Sequence, residues 1–591
     1  MAEQDINKQL GTTGIIWKLE DLYTSVNDPS IAEDIAACEK EASTIKEEFS
    51  GTVHTLSAIE LEILVARQEE LEKKLSKLAT YAFLNFATRL HDAEASAFLQ
   101  KIKEVSSRIG AETIFFELEW SKIDSDAALS LLSSKDIRPF RHYLENIRRY
   151  TDHLLSHLEE TLLIKKAPVG SSSWTTLFEK VFGHLKFGEK KRTEEEVLAD
   201  LYNPNREIRK QAADDLTSGL QSQLHILTHI FNTLLADKMI NDDLRRYPSW
   251  VSTMNLHNEL DDQTVNTLIE SVTSRYDIVQ RYYHLKKELL GLKELHDYDR
   301  YAPLPHLPKD KITWDECRET VIDGFRQFSP KMAEISSFFF DRKWIHAPVT
   351  EGKRGGAFAH PCIPGIHPYV LVNYTGNIRD VSTVAHELGH GVHQFLASQR
   401  GYYNSKTPLV LAETASVFAE LLIFHNQLKS LSDPAKQKAF ICQKLESIFA
   451  TVFRQVSMNR FEEKIHNTRR DSGELSAGHF SSLWLTTQKE MFGDSVVLTE
   501  NYSSWWSYIP HFLHSPGYVY SYAFGELLVL ALYNLYTQEG ETFIPKYMNL
   551  LSQGGSKSPY ELLAPFNVDL NDKQFWLGGL QVIDNMLQRI E

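Results

Sequence analysis

From Ser57 to Arg89 the chain runs without a proline or a glycine, and Leu61, Leu64, Leu71, Leu75, Leu78 and Phe83 fall near helical spacing. At ~1.5 Å per residue, a helix over this stretch spans about 50 Å. It lacks heptad regularity, so it is expected to form a wall of a large helical body. Further helical patterns cover 31 to 49, 91 to 109, 126 to 133, 137 to 146 and 150 to 164. After the turn Asn203-Pro204-Asn205 they resume at 206 to 219 and 220 to 239, and they return at 437 to 469, 476 to 492 and 523 to 537. The fold class this predicts is mainly α, with no internal repeat and no low-complexity linker.

Three stretches depart from the helical period. Gly183-His184-Leu185-Lys186-Phe187-Gly188 is compatible with a short hairpin. His296-Asp297-Tyr298-Asp299-Arg300-Tyr301-Ala302-Pro303-Leu304-Pro305 reads as a rigid packed turn, with a channel lining as the functional alternative. Gly355 to His360 and Tyr369 to Tyr374 read as two short strands around a Gly/Pro turn. A strand edge there can pair with an extended peptide through its main chain, or the hairpin can simply support the helix that follows.

That helix carries His386-Glu387-Leu388-Gly389-His390. Residues four apart lie on one helical face, so His386 and His390 can offer two imidazole nitrogens to one metal ion. Glu387 follows the first ligand and is placed to take a proton from a water on the metal and pass it to a leaving amine, the arrangement used by zinc proteases. Asp380 is a capping-type residue at the start, and the apolar residues at 381, 384, 385 and 388 predict a mostly buried helix. Zinc then needs a third protein ligand. A histidine six residues after His390 is excluded, since position 396 is leucine and His393 lies only three residues on. A carboxylate from the next helix remains, with Glu413 in Leu411-Ala412-Glu413-Thr414-Ala415-Ser416 and Glu420 two turns later as the candidates. Between 501 and 522 the chain concentrates Trp505, Trp506, Tyr508, His511, His514, Tyr518, Tyr520 and Tyr522. Most of these are expected to fill core. A Tyr or His donor near the flexible Ser515-Pro516-Gly517 turn could instead meet a developing oxyanion.

Composition sets the outer limits. The chain has 79 acidic against 63 basic residues, a net charge of −16, which weighs against nucleic acid as a partner. Lys190-Lys191-Arg192 and Arg148-Arg149 read as solvated faces. Cys38, Cys317, Cys362 and Cys442 have no metal or redox spacing and read as free thiols in a reducing compartment. No secretory signal and no membrane-spanning run is visible, so a cytoplasmic location and no membrane partner are expected.

Gly352-Lys353-Arg354-Gly355-Gly356-Ala357-Phe358, Gly365-Ile366-His367-Pro368-Tyr369, the His386 helix, the Glu413 helix and Ile509-Pro510-His511-Phe512-Leu513-His514-Ser515-Pro516-Gly517-Tyr518 together resemble oligoendopeptidase F. Trp17-Lys18-Leu19-Glu20-Asp21-Leu22-Tyr23 is similar to the amino end of the same family, so the resemblance spans nearly the whole chain. The family belongs with the thimet oligopeptidase and neurolysin-like zinc metallopeptidases. The resemblance implies a two-lobed helical body with a deep substrate channel and a small hairpin or sheet beside the zinc helix. It implies one zinc held by His386, His390 and Glu413, with Glu387 as general base. His511 and Tyr522, then Tyr518, are the residues carried over for the oxyanion, with His514 and Tyr520 in reserve. Residues 1–195 are expected to form an N-terminal helical region and 196–591 the catalytic zinc metallopeptidase region, with an approximate boundary and the two lobes interleaving, with oligopeptides as substrates and the oligomeric state left open. The alternatives are a non-catalytic helical scaffold, or a metal hydrolase acting on another amide or on peptide ends.

Overall fold

The computed structural model describes residues 3–166, 169–305 and 311–591. The chain forms two compact units, each assembled from separated stretches. One comprises Met1–Thr151, Pro308–Ser430 and Leu535–Val568, and the other Asp152–Leu307, Leu431–Asn534 and Asp569–Glu591. Nearly every element is a helix, and among the described residues there is one sheet, of three short strands. No helix among them is long and apolar enough to cross a membrane.

In the first unit the long helix runs Ala58–Ala87. Ser57 begins it with a reciprocal cap, accepting from the Glu60 N–H at 3.3 Å while the Glu60 carboxylate accepts from the Ser57 N–H at 2.8 Å. Leu61, Leu64, Leu71 and Leu78 point into a core shared with Ile35 and Ile45 of the Pro29–Phe49 helix and Ile102 and Val105 of the Ala93–Thr113 helix. Tyr369 and Leu371 enter the same core, which anchors the sheet to the helical wall.

The strands are β1 (Ile345–His346), β2 (Phe358–His360) and β3 (Tyr369–Leu371), in the order β1-β3-β2. β2 and β3 are the expected antiparallel pair, and β1 adds parallel to β3. β1 has only two residues, too few for a period-2 signal. Lys353, in the Gly-rich stretch before β2, is buried and donates to the carbonyls of Pro348 (2.7 Å), Val372 (2.7 Å) and His346 (3.3 Å), tying the β1 and β3 ends together. The Val370 N–H donates to Trp344 at 2.9 Å, toward β1. Ala359, opposite Val370, therefore turns its own N–H and C=O to the free edge of β2.

In the second unit the two helical stretches expected at 206 to 219 and 220 to 239 join as one 39-residue helix, Arg206–Leu244. Gly219 does not break it: a Cβ there would lie 2.4 Å from the Phe187 ring, so the glycine makes room for packing. Leu216, Leu227, Ile230 and Phe231 share a core with Phe461, Phe480, Trp505, Trp506 and Phe512. The hairpin expected at 183 to 188 is reduced to a single antiparallel bridge between Phe187 and Arg192, because the Ser171–His184 helix already occupies its first arm. The pattern at 437 to 469 divides into Pro434–Thr451 and Phe453–Ser472 at Val452, whose ψ of −72° departs from helix. Residues Glu500–Tyr508 form a 3-10 helix. The segment after His296 is a packed turn in which the buried Asp299 accepts from Arg206 at 2.8 Å and Arg209 at 2.7 Å.

Candidate active site

The His386 helix runs Ile378–Ala397. Its cap is Asn377 rather than Asp380: the Asn377 side chain accepts from the Asp380 N–H, and the Asp380 carboxylate accepts in return from Asn377, as well as from the Thr375 N–H at 2.7 Å and hydroxyl at 2.8 Å. Asp380 is the third residue of the capping box, a role that sequence alone confuses with the cap itself. Val381, Val384, Ala385, Leu388 and Val392 are buried as the pattern requires.

Gly389 and Gly391 allow close approach to this helix. A Cβ on Gly389 would lie 2.5 Å from the Ala415 carbonyl oxygen and 2.7 Å from Ser416 Cα, so the Thr414–Ser430 helix crosses in backbone contact between the two histidines. On Gly391 it would meet the Phe339 ring at 2.6 Å. Glu413 sits at the bend between the short helix Leu409–Ala412 and the Thr414–Ser430 helix. The bend is fixed by the Tyr547 hydroxyl, which donates to the Thr414 carbonyl at 2.8 Å.

This crossing brings three side chains to one point. His386 Nε2 and His390 Nε2 each lie 3.4 Å from Glu413 Oε2, their rings 5.0 Å apart. The three donor atoms lie within 4.8 Å of one another, the one such group of His, Cys, Asp or Glu among the described residues. Glu420 meets the other face of His386, its Oε2 3.5 Å from Nδ1. Ser416 donates to Glu413 Oε2 at 2.7 Å. The ligand alternatives of the sequence are thereby placed apart, Glu413 at the convergence and Glu420 behind it. Two imidazoles and a carboxylate, the first imidazole backed by a second carboxylate, suit a tetrahedral zinc with its fourth position open.

The charges reinforce one another. Burial pushes His386 down, but the Glu420 hydrogen bond and the charges of Glu413 and Glu387 outweigh it and lift the ring to about 9. Burial pushes Glu413 up, and His390, His386 and Ser416 reverse that, to about 2. Glu387, 7 % exposed, is raised by burial against the pull of both histidines and a backbone hydrogen bond from Ala359. The Ala359 carbonyl accepts from Gln394 Nε2 at 3.3 Å. Both outward backbone groups of Ala359 are thus held by the His386 helix, so at this residue β2 supports the helix, and the Glu387 carboxylate is held by the strand. His393 is buried, held down at about 3 by burial and by His390, and meets the Thr407 hydroxyl at 3.4 Å. It is a packed neutral ring. A cavity of about 380 Å³ opens beside His390, lined in part by Thr80, His360, Cys362, Gln394, Tyr402 and Thr407.

In the second unit the residues of the 511 to 522 segment separate clearly. The short helix His511–His514 and the helix Tyr520–Glu539 flank Gly517, whose φ is +80°. The Tyr522 hydroxyl is 3.3 Å from His511 Nε2, and the Tyr518 and Tyr522 rings stand edge to face at 4.9 Å. All three are half-buried. Burial and the Arg454 charge hold His511 below its ordinary value. Tyr520 is fully buried and accepts from Asn258 Nδ2 at 2.8 Å, a core contact. His514 is exposed and 3.8 Å from Glu179.

Sequence reasoning did not single out Gly389, Gly391, Ser416 or Ala359. Two glycines within a helical pattern, and a serine three residues after Glu413, were the available signals.

A helical protein that brings His386, His390 and Glu413 together beside a buried Glu387 is built as a metallopeptidase. Its sequence matches the profile of peptidase family M3 over residues 199–582 and that of oligopeptidase F over 119–187. The chain belongs to peptidase family M3. It is 26% identical to oligopeptidase PepF of Bacillus subtilis strain 168, across 97% of this chain and 86% of that one. It is 24% identical to an oligoendopeptidase F homolog of Lactococcus lactis subsp. lactis strain IL1403, across 99% and 98%. The crystal structure of oligoendopeptidase-F from Enterococcus faecium shares the fold, with a TM-score of 0.71, 19% identity, and coverage of 95% of this chain and 99% of that one.

Proposed function

We propose that this metallopeptidase is a zinc-dependent endopeptidase that hydrolyses internal bonds of short peptides. One observation carries the reading: His386 Nε2 and His390 Nε2 both meet Glu413 Oε2 at 3.4 Å, with Glu387 buried on the same helix. The family supports the metallopeptidase class, and the relatives' names, oligopeptidase and oligoendopeptidase, support short peptides and internal bonds. Zinc, when bound, supplies Lewis acidity to the scissile carbonyl and to the attacking water. His386, His390 and Glu413 hold it. Glu420 engages Nδ1 of His386, which leaves Nε2 as the lone-pair donor.

Glu387 accepts the water's proton and returns it to the leaving amine. Its burial raises its proton affinity, and the Ala359 hydrogen bond keeps it oriented. Tyr522 donates to the oxyanion as it forms, with His511 directing the phenol: if Nε2 carries the hydrogen, the Tyr522 oxygen accepts it and its own proton is free to donate. Tyr518 packs against that ring and is the second donor candidate. The division at about 195 remains our proposal for the start of the catalytic region, supported by an M3 match that begins at 199. Four unpaired cysteines favour the cytoplasm.

Digestion of one peptide series in free, amino-blocked and carboxyl-blocked forms, read by mass spectrometry, tests the endopeptidase reading. Internal cleavage of doubly blocked peptides is expected. Products released only from a free end would overturn it.

A further inference from the structure

In the second unit two arginines, Arg300 and Arg454, make no ion pair among the described residues, although Asp297 and Glu446 are near them. Arg300 is 4 % exposed, and Arg454 lies beside it with its Nε unpartnered. Among the described residues neither has an acidic oxygen within ion-pair distance, whereas the neighbouring Asp299 already serves Arg206 and Arg209. Arg300 is caged by the rings of Tyr502 (4.9 Å), Tyr301 (5.0 Å) and Phe492 (5.1 Å), and its Nε donates to the Asp297 carbonyl at 2.9 Å. Arg454 Nη1 donates to the Tyr301 hydroxyl at 3.4 Å. Aromatic faces and neutral oxygens ease the burial of a guanidinium, but they do not cancel its charge.

The charged groups around this point can be counted. Lys286, Arg300 and Arg454 are cationic, and Asp297 and Glu446 anionic. Lys286 Nζ donates to Glu446 at 2.6 Å, which uses that pair up. Asp297 accepts from the Thr499 N–H at 2.8 Å. Arg300 and Arg454 hold the Tyr301 hydroxyl below its ordinary value, and with that phenol protonated one positive charge is left over. Beside it is a cavity of about 40 Å³ lined by Tyr283, Arg300, Tyr301, Phe449 and Arg454 among others, and by Glu446, the carboxylate that Lys286 already holds, with room for one small ion.

We infer that Arg300 and Arg454 hold a single small monovalent anion of the chloride class in this cavity, with the Tyr301 hydroxyl as a third contact. The phenol accepts from the guanidinium and turns its own hydrogen to the anion. Arg454 is also the charge that depresses His511, so occupancy of the site would be felt by the segment proposed to serve the oxyanion. The binding claim itself does not depend on the peptidase reading.

The test compares the protein in sodium gluconate, an anion too large for the cavity, with the protein titrated with sodium chloride at constant ionic strength. A saturable rise of about 2–4 °C in thermal midpoint is expected for the parent. It should be absent in Arg300→Leu and in Arg454→Gln. Crystals soaked in bromide should show an anomalous peak between the two guanidiniums, which keeps the claim testable on the parent protein if either variant fails to fold. Equal midpoints in the two salts with no bromide peak would overturn the inference. So would a full chloride response in both variants, or a phenolate absorbance at neutral pH that Tyr301→Phe removes, which would make Tyr301 itself the counter-charge.

Discussion

Gly389→Ala adds one methyl group at the place where the site is assembled. On an exposed helix this change stabilises by about 1 kcal/mol. Here the new carbon would lie 2.5 Å from the Ala415 carbonyl oxygen, where ordinary contact begins at 3.4 Å, so the two helices must part by roughly 0.9 Å. The obstacle is backbone on both sides, and no side chain can turn away to relieve it. Overpacking of this kind costs about 1–3 kcal/mol, or a thermal midpoint lower by several degrees. The larger effect falls on the metal. Glu413 immediately precedes the helix that is displaced, and zinc tolerates only about 0.2 Å in its ligand distances, so an affinity loss of at least 10- to 100-fold is expected. Competition with a fluorescent zinc chelator, with thermal denaturation of the same metal-free samples, measures both effects. Gly391→Ala is the control, since its new methyl meets only the Phe339 ring, at 2.6 Å, and that side chain can shift. Parental zinc affinity in Gly389→Ala would refute the claim that this contact positions Glu413.

Glu413→Ala should abolish stoichiometric zinc after dialysis, whereas Glu420→Ala should weaken affinity by about 10- to 100-fold and still fill at excess zinc, as plasma mass spectrometry would show. A reversed order would exchange the two roles. Tyr522→Phe should leave zinc content and KM near parental and lower kcat by about 10²- to 10³-fold on a quenched-fluorescence peptide, the signature of a bond made in the transition state. Unchanged kcat would remove Tyr522 from the reaction. Glu462 is buried, raised by burial to about 8, and accepts from the Gly517 N–H at 2.9 Å. Its neutral form favours the fold, so its contribution is complete below the ordinary value of 4.5 and declines as pH rises through about 8. Glu462→Gln, neutral throughout with an oxygen for Gly517, should therefore gain thermal stability over the parent at pH 8 more than at pH 5. An equal difference at both would show that Glu462 is ionised in the fold.

The helices were legible where apolar spacing was long and uninterrupted, as over Ala58–Ala87. The strand pair before the metal helix was legible from the change of period. Boundaries set by hydrogen bonding were less so: Asn377 and Asp380 are both good capping residues, and only the bonds themselves distinguish cap from partner. Val452 carries no proline or glycine signal, so the break between the Pro434–Thr451 and Phe453–Ser472 helices depends on tertiary packing. Glu413 and Glu420 could not be separated by spacing, because both lie on the approach of a following helix and the answer turns on where that helix crosses. The crossing is set at Gly389, whose role appears only when Ala415 is seen against it.

The central claim is that Glu387 moves the proton at a metal held by other residues, and Glu387→Gln separates the two functions while keeping the side chain's size. Zinc content and single-turnover cleavage should be measured on the same preparation. The account predicts zinc near one per chain and a cleavage rate lower by roughly two or more orders of magnitude. A variant that holds its zinc and cleaves at close to the parental rate would contradict it.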